Sequence, residues 1–224
     1  MPNHEPTPRS PQGWHAYYSE KRIVHQWLQV ALLTPLNVKR VLEIGPYLGL
    51  VTAMLSNAGY EVTTLDHAGD APRDGAVAHI KADLRALEPA RLNGFDAILC
   101  CETLEHLAFS EVPPVLAALR ATGAPYLVLS VPYEGPQLGL SLHLNPHRPR
   151  VNLFRKLHFL RRFPAPRGDS WENHRWEIGW RDYPLRKLVR IVEAAGYRVL
   201  RREITSGTRS VFLLCRAEGA HKRA

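Results

Sequence analysis

Short apolar runs alternate with stretches of helical spacing over most of the chain. In residues 14–34, Tyr17, Val24, Trp27, Leu28 and Ala31 recur at helical intervals, which predicts one amphipathic helix ended by Pro35. Val41-Leu42-Glu43-Ile44 reads as a buried strand, followed by Gly45-Pro46 and a helix from Gly49 to Ala58. Glu61–Asp66, Ala76–Ala82, Phe95–Cys100 and Tyr126–Val131 are predicted as the second to fifth strands, with a helix over Pro113–Thr122 before the fifth. A last helix spans Pro184–Ala195 and stops at Gly196. Tyr197–Ile204 and Ser210–Cys215 then form two strands joined at Ser206-Gly207, too closely for a crossover, so they pair antiparallel.

This alternation predicts an α/β fold of Rossmann-like type. Seven strands form a mostly parallel sheet with helices on both faces and an antiparallel C-terminal hairpin. Residues 1–34 are an N-terminal arm and helix, the arm covering 1–13, and 35–216 are the main domain. Residues 135–170 break the alternation and read as a lid inserted after the fifth strand; 217–224 are a basic tail.

Composition narrows the class. The 224 residues are 45% hydrophobic and 22% charged, which excludes a disordered chain and suits one domain with an insertion. No apolar run is long enough to span a bilayer, and Met1–Pro6 lack the apolar stretch of a signal peptide. Cys100, Cys101 and Cys215 form neither a disulfide framework nor a C-x-x-C zinc pattern. The chain therefore reads as a soluble cytoplasmic protein. Its net charge of +8 favours anionic partners or simply a solvated basic surface.

The chemistry gathers at strand ends. Glu43-Ile44-Gly45-Pro46-Tyr47-Leu48-Gly49 lies between a strand and a helix, where glycines let the backbone turn and approach a ligand. Asp66 ends the next strand, 21 residues after Gly45, where an acid accepts both hydroxyls of a ribose. Asp83 follows the third strand and is placed to accept from an adenine amino group. This order of features resembles the class I S-adenosylmethionine-dependent methyltransferases over residues 35–216, departing at Tyr47, where that family usually has a glycine. The resemblance implies S-adenosylmethionine as cofactor, with Glu43, Gly45, Tyr47, Gly49, Asp66, Asp83 and Cys101 about it.

Glu102-Thr103-Leu104-Glu105-His106 follows the fourth strand. If helical, it puts Glu102, Glu105 and His106 on one face, suited to a divalent cation such as Mg or Mn or to a histidine base for a hydroxyl. The run resembles that of the ubiquinone-pathway O-methyltransferases. With the downstream Glu172–Glu177 it also resembles the small-RNA 3′-terminal 2′-O-methyltransferases, which implies Glu102, Glu105, His106 and His174 as metal ligands. In the RNA group an aspartate usually precedes the second histidine, where Asn173 stands here.

Between Gly135 and Arg167 the insertion carries Arg148, Arg150, Arg155, Lys156, Arg161, Arg162 and Arg167 without an acid, interleaved with Leu153, Leu157 and Leu160 at helical spacing. It reads first as a lid, and otherwise as a contact of 148–163 with an anionic membrane or with RNA phosphates. Trp14, Tyr17 and Tyr18 are placed to cap the pocket. The expected activity is methyl transfer from S-adenosylmethionine to a hydroxyl of a small-molecule or lipid-like acceptor, His106 taking the proton and Glu102 and Glu105 orienting the hydroxyl. RNA 2′-O-methylation and a non-catalytic binding protein of the same fold are the alternatives.

Overall fold

A computed structural model describes residues 10–67, 78–134, 137–142, 151–156, 173–204 and 210–219. The N-terminal segment forms two helices rather than one, α1 (Pro11–Tyr17) and α2 (Glu20–Ala31). Ser10 caps α1 by accepting from the Gly13 N–H at 3.0 Å. The buried face of α2 also differs from the expected stripe: His25, Leu28 and Gln29 face inward, while Trp27 is 59% exposed and Val24 is exposed too. The helix is oriented by Leu28 and the following Leu32 and Leu33, which enter the sheet-facing core.

The sheet strands are β1 (Arg40–Ile44), β2 (Glu61–Asp66), β3 (Ala78–Lys81), β4 (Ala97–Cys101), β5 (Tyr126–Pro132), β8 (Tyr197–Ile204) and β9 (Ser210–Ala217). They lie in the order β3-β2-β1-β4-β5-β9-β8, and β9 alone runs antiparallel to its neighbours. The expected sheet and its antiparallel C-terminal pair are thus present. β3 ends at Lys81, one residue before the apolar pattern predicts; of its expected start, residues 76–77 lie outside the described residues.

α3 (Leu50–Asn57) and α2 cover one face of the sheet; α4 (Val112–Ala121) and α5 (Leu185–Ala194) cover the other. Alternate residues of each strand serve the two faces. In β1, Val41 packs with Leu28, Val51 and Leu55, while Leu42 and Ile44 join Leu116, Leu119 and Val192. Pro113 and Pro114 sit in the first turn of α4, where no intrahelical donor is lost.

The insertion corrects one expectation. Residues 151–156, read as part of a basic helix, form strand β7 (Val151–Lys156), paired antiparallel with β6 (Gln137–Leu142). Val151, Leu153 and Phe154 carry β propensity, and the partner strand satisfies the backbone in a way helical spacing does not anticipate. Residues 157–163, the rest of that helix, lie outside the described residues, as does the tail from 220.

Candidate functional site

The sheet order reverses about β1, which lies between β2 and β4. Ligands of such sheets bind where the strand order reverses, beyond the carboxyl ends. Register puts the relevant residues on that edge: Ile44 is level with Leu65 and with Cys100, and Cys101 with Ser130. Gly45, Asp66 and Glu102 follow these positions.

Gly45 has φ +69°, and a Cβ there would lie 3.0 Å from Thr103 Oγ1, so both conformation and closeness require glycine. Its N–H donates to the Leu65 carbonyl at 2.9 Å, which ties the loop to the end of β2. Gly49 begins α3 with φ +82°. Beneath the loop, the Glu43 carboxyl is buried and accepts from Thr52 Oγ1 at 2.6 Å. Burial pushes its pKa up to about 7, against the smaller opposing effect of the Thr52 hydrogen bond. Tyr47 is half exposed and packs against Tyr17 with ring centroids 4.7 Å apart and planes inclined at 50°. The N-terminal aromatics thus lie against the glycine loop, Tyr17 directly and Tyr18 through a hydrogen bond with the backbone at Leu50.

Asp66 ends β2 with its side chain 19% exposed and His67 Nδ1 at 3.1 Å. Asp83 has a different occupation. It caps a short 3-10 turn (Leu84–Ala86) and accepts a forked set of bonds from Arg85 at 2.6 to 3.1 Å. The Arg85 guanidinium lowers its pKa to about 2. The Cys101 side chain is buried in the core under α2 and α3.

The run after β4 is not one helix. Glu102 has φ +49° and only Leu104–His106 form a 3-10 turn. The expected single face of Glu102, Glu105 and His106 is therefore split. A left-handed non-glycine backbone costs on the order of 1–2 kcal/mol and is held by surrounding contacts. Among the described residues three non-glycine positions have positive φ: Tyr47, Glu102 and Asn173. One lies in the glycine loop, one follows β4 and one precedes His174.

Glu102 turns toward the N-terminal helix and the C-terminal strands. Its N–H donates to the Ser130 carbonyl at 2.9 Å, its Oε1 accepts from Ser130 Oγ at 2.8 Å, and its Oε2 accepts from Ser210 Oγ at 3.1 Å. His25 of α2 brings Nε2 to 3.9 Å from Oε1. Burial lowers the His25 pKa, the Glu102 charge opposing it, so the imidazole stands neutral near pH 7.

Glu105 and His106 turn the other way and meet His174. The three ligand atoms lie within 4.8 Å of one another, Glu105 being fully buried and His106 exposed. His174 arrives because residues 173–178 run back along the end of β5: Arg175 N–H donates to the Glu105 carbonyl at 2.8 Å and Ile178 N–H to the Pro132 carbonyl at 3.0 Å. Trp176 anchors this segment, fully buried and donating from Nε1 to the Leu107 carbonyl at 3.1 Å. His174 Nδ1 lies 2.8 Å from Glu177 Oε1, which fixes the ring and turns Nε2 away from Glu177. Partial burial and the neighbouring His174 lower the His106 pKa, partly offset by a hydrogen bond with the Asn173 backbone.

Sequence reading missed His25, Ser130 and Ser210, and it noted Glu177 only as part of the downstream cluster, without a role. Ser130 did leave a signal: a polar residue within the apolar run Tyr126–Val131 needs a buried partner. Nothing in the local pattern marks His25.

No family model and no curated protein matches the chain. Solved structures do. The N-methyltransferase NodS from Bradyrhizobium japonicum WM9 superposes with a TM-score of 0.61 at 15% identity, covering 94% of each chain. The methyltransferase domain of bacterial CtHen1-CN gives 0.59 at 19% identity, covering 88% of this chain and 99% of its own. The glycopeptide N-methyltransferase MtfA, solved with S-adenosylmethionine, gives 0.57 at 15% identity, covering 90% of this chain and 95% of its own. The fold is the Rossmann-like methyltransferase fold. At these identities the likeness concerns architecture, and the methyltransferase fold alone assigns no chemistry.

Proposed function

We propose that the protein is an S-adenosylmethionine-dependent methyltransferase acting on a hydroxyl of a small-molecule or lipid-like acceptor. The observation that carries this reading is the convergence, at the carboxyl edge where the sheet order reverses, of the glycine loop, Asp66 and the acid and imidazole groups after β4. Similar structures support methyl transfer, since NodS and MtfA are N-methyltransferases and MtfA was solved with S-adenosylmethionine. When bound, that cofactor supplies a methyl group on a sulfonium and leaves as S-adenosylhomocysteine.

The chain's own residues would then divide the work. Asp66 accepts the ribose hydroxyls, and Gly45 and Gly49 let the loop backbone come close. Tyr47 and Tyr17 lie over the loop and limit water there. Asp83 reaches an adenine edge only by sharing its carboxylate with Arg85. His106, neutral at pH 7, takes the acceptor's proton.

A second reading has its own observation. Glu105, His106 and His174 offer one oxygen and two nitrogen ligands within 4.8 Å, with Glu177 steadying His174. This donor set fits a divalent ion, and its two imidazoles suit Mn better than Mg. An ion there would lower the pKa of a bound hydroxyl.

Calorimetry with S-adenosylhomocysteine tests the cofactor. Wild-type protein binds, and Asp66→Ala binds about 10 to 100-fold more weakly, as expected for losing charge-assisted hydrogen bonds. Absence of binding by folded wild-type protein overturns the reading. Methyl-labelled S-adenosylmethionine incubated with cell extract then reports the acceptor class. Label in small-molecule or lipid fractions supports it, and label confined to RNA replaces the acceptor.

A further inference from the structure

The cluster around Glu102 is assembled by α2, the loop after β4, β5 and β9. Two observations stand out. The first concerns the carboxylate. Ser130 and Ser210 each donate to a different oxygen, yet the Glu102 side chain remains 31% exposed. Each carboxylate oxygen accepts more than one hydrogen bond, so Glu102 is held in place with acceptor capacity to spare. The second concerns His25. Its residue is 8% exposed, its ring lies against Phe212 at 4.7 Å, and its Nε2 is buried without a hydrogen-bond partner. Buried ring nitrogens are normally satisfied, so this one calls for an explanation.

The two groups are 3.9 Å apart, beyond hydrogen-bonding distance of each other. That spacing suits a single atom bonded to both, at about 2.8 Å from each. We propose that the nucleophilic group of the acceptor, a protic oxygen or nitrogen, occupies the gap between Glu102 and His25, donating to the carboxylate and completing the hydrogen bonding of Nε2. A hydroxyl does this by donating to Glu102 and accepting from an Nε2–H; an amine does it by donating twice. A group lacking a hydrogen leaves the carboxylate unmatched and is disfavoured. Ser130 and Ser210 are positioning residues, because they touch the carboxylate and set its direction.

This inference rests on the methyltransferase reading but gives the acceptor's nucleophile to Glu102 and His25 in place of His106, and the test separates the two. S-adenosylhomocysteine affinity is measured first, by calorimetry, on wild type, Glu102→Gln, His25→Phe, the double variant Ser130→Ala with Ser210→Ala, and Ser210→Thr. Initial rates of label transfer from S-adenosylmethionine into the small-molecule and lipid fractions of cell extract are measured next. The expected result is S-adenosylhomocysteine affinity within about twofold of wild type throughout. Transfer falls about 100-fold in Glu102→Gln and about 10-fold in His25→Phe. The double serine variant also loses about 10-fold, through a raised KM for the extract component, while Ser210→Thr keeps the wild-type rate, which a merely structural role would not separate. Transfer by Glu102→Gln above a tenth of the wild-type rate overturns the inference and leaves the methyltransferase reading standing. Wild-type protein that binds no S-adenosylhomocysteine, or transfers no label, overturns both.

Discussion

Glu102 and Glu105 are separated by two residues and follow the same strand, yet the chain gives them different partners. Glu102 is partly exposed and held by hydroxyls from β5 and β9, with a neutral imidazole beyond hydrogen-bonding distance. Glu105 is fully buried and grouped with His106 and His174. The difference arises in the backbone. One residue in the left-handed region followed by a single 3-10 turn sends the two side chains apart, where an α-helix would have stacked them. The Glu102 cluster presents a carboxylate acceptor held by two serine hydroxyls, the group to which the proposed nucleophile would donate. The Glu105 cluster is built from ligand atoms and suits a cation.

A third acid on the same edge gives the scale for this comparison. Glu43 has one hydroxyl partner where Glu102 has two, and unlike Glu102 it is buried. Its carboxyl ionises near 4.5 in the unfolded chain and near 7 in the folded one. The folded state therefore holds the proton more tightly. Stability from this group is fully present below about 4.5 and is lost as pH rises toward about 7, by as much as about 3 kcal/mol. Glu43→Gln should flatten that slope and be the more stable protein at pH 8, with the gain vanishing near pH 4. Denaturant unfolding across this range measures it, and a wild-type profile already flat between pH 4 and 7 contradicts the burial argument.

The next effect separates the two clusters directly. An ion at a hundredfold its Kd stabilises a protein by about 2.7 kcal/mol. Added Mn should raise the thermal midpoint of wild type and of Glu102→Gln alike, and leave His174→Ala unmoved. Equal shifts in all three would place the ion elsewhere and remove the cation half of the comparison.

The smallest effect concerns stability without any ligand. Glu105→Gln, at a fully buried site, should cost about 1–3 kcal/mol of unfolding free energy. Glu102→Gln should cost less than about 1 kcal/mol, since water reaches that side chain and serine hydroxyls can turn to meet an amide. Equal costs in the two variants would mean that Glu102 is a structural carboxylate like its neighbour.

The parts of the site legible along the chain were those set by local backbone. Gly45 and Gly49 carry positive φ where a strand passes into a helix, and Asp66 stands at the end of the second strand. Ser210 meets Glu102 from 108 residues away, and His25 reaches it from a helix whose expected apolar stripe pointed elsewhere. A polar residue's partner depends on which elements pack, so spacing along one element does not reveal it. The same limit explains residues 151–156. Leucines three and four apart suggested a helix, and pairing with Gln137–Leu142 made a strand.

The sequence by itself determined the alternating elements, the sheet, and the glycine loop with its acid one strand later. Those features follow from side-chain period and from the conformations each residue allows locally. The tertiary structure alone decided how the acids after β4 are shared out. It joined Glu102 to α2, β5 and β9, and it carried His174 back to Glu105 along residues 173–178. The physical reason is that buried polar groups are satisfied by whatever packing brings near, and packing is a property of the whole chain.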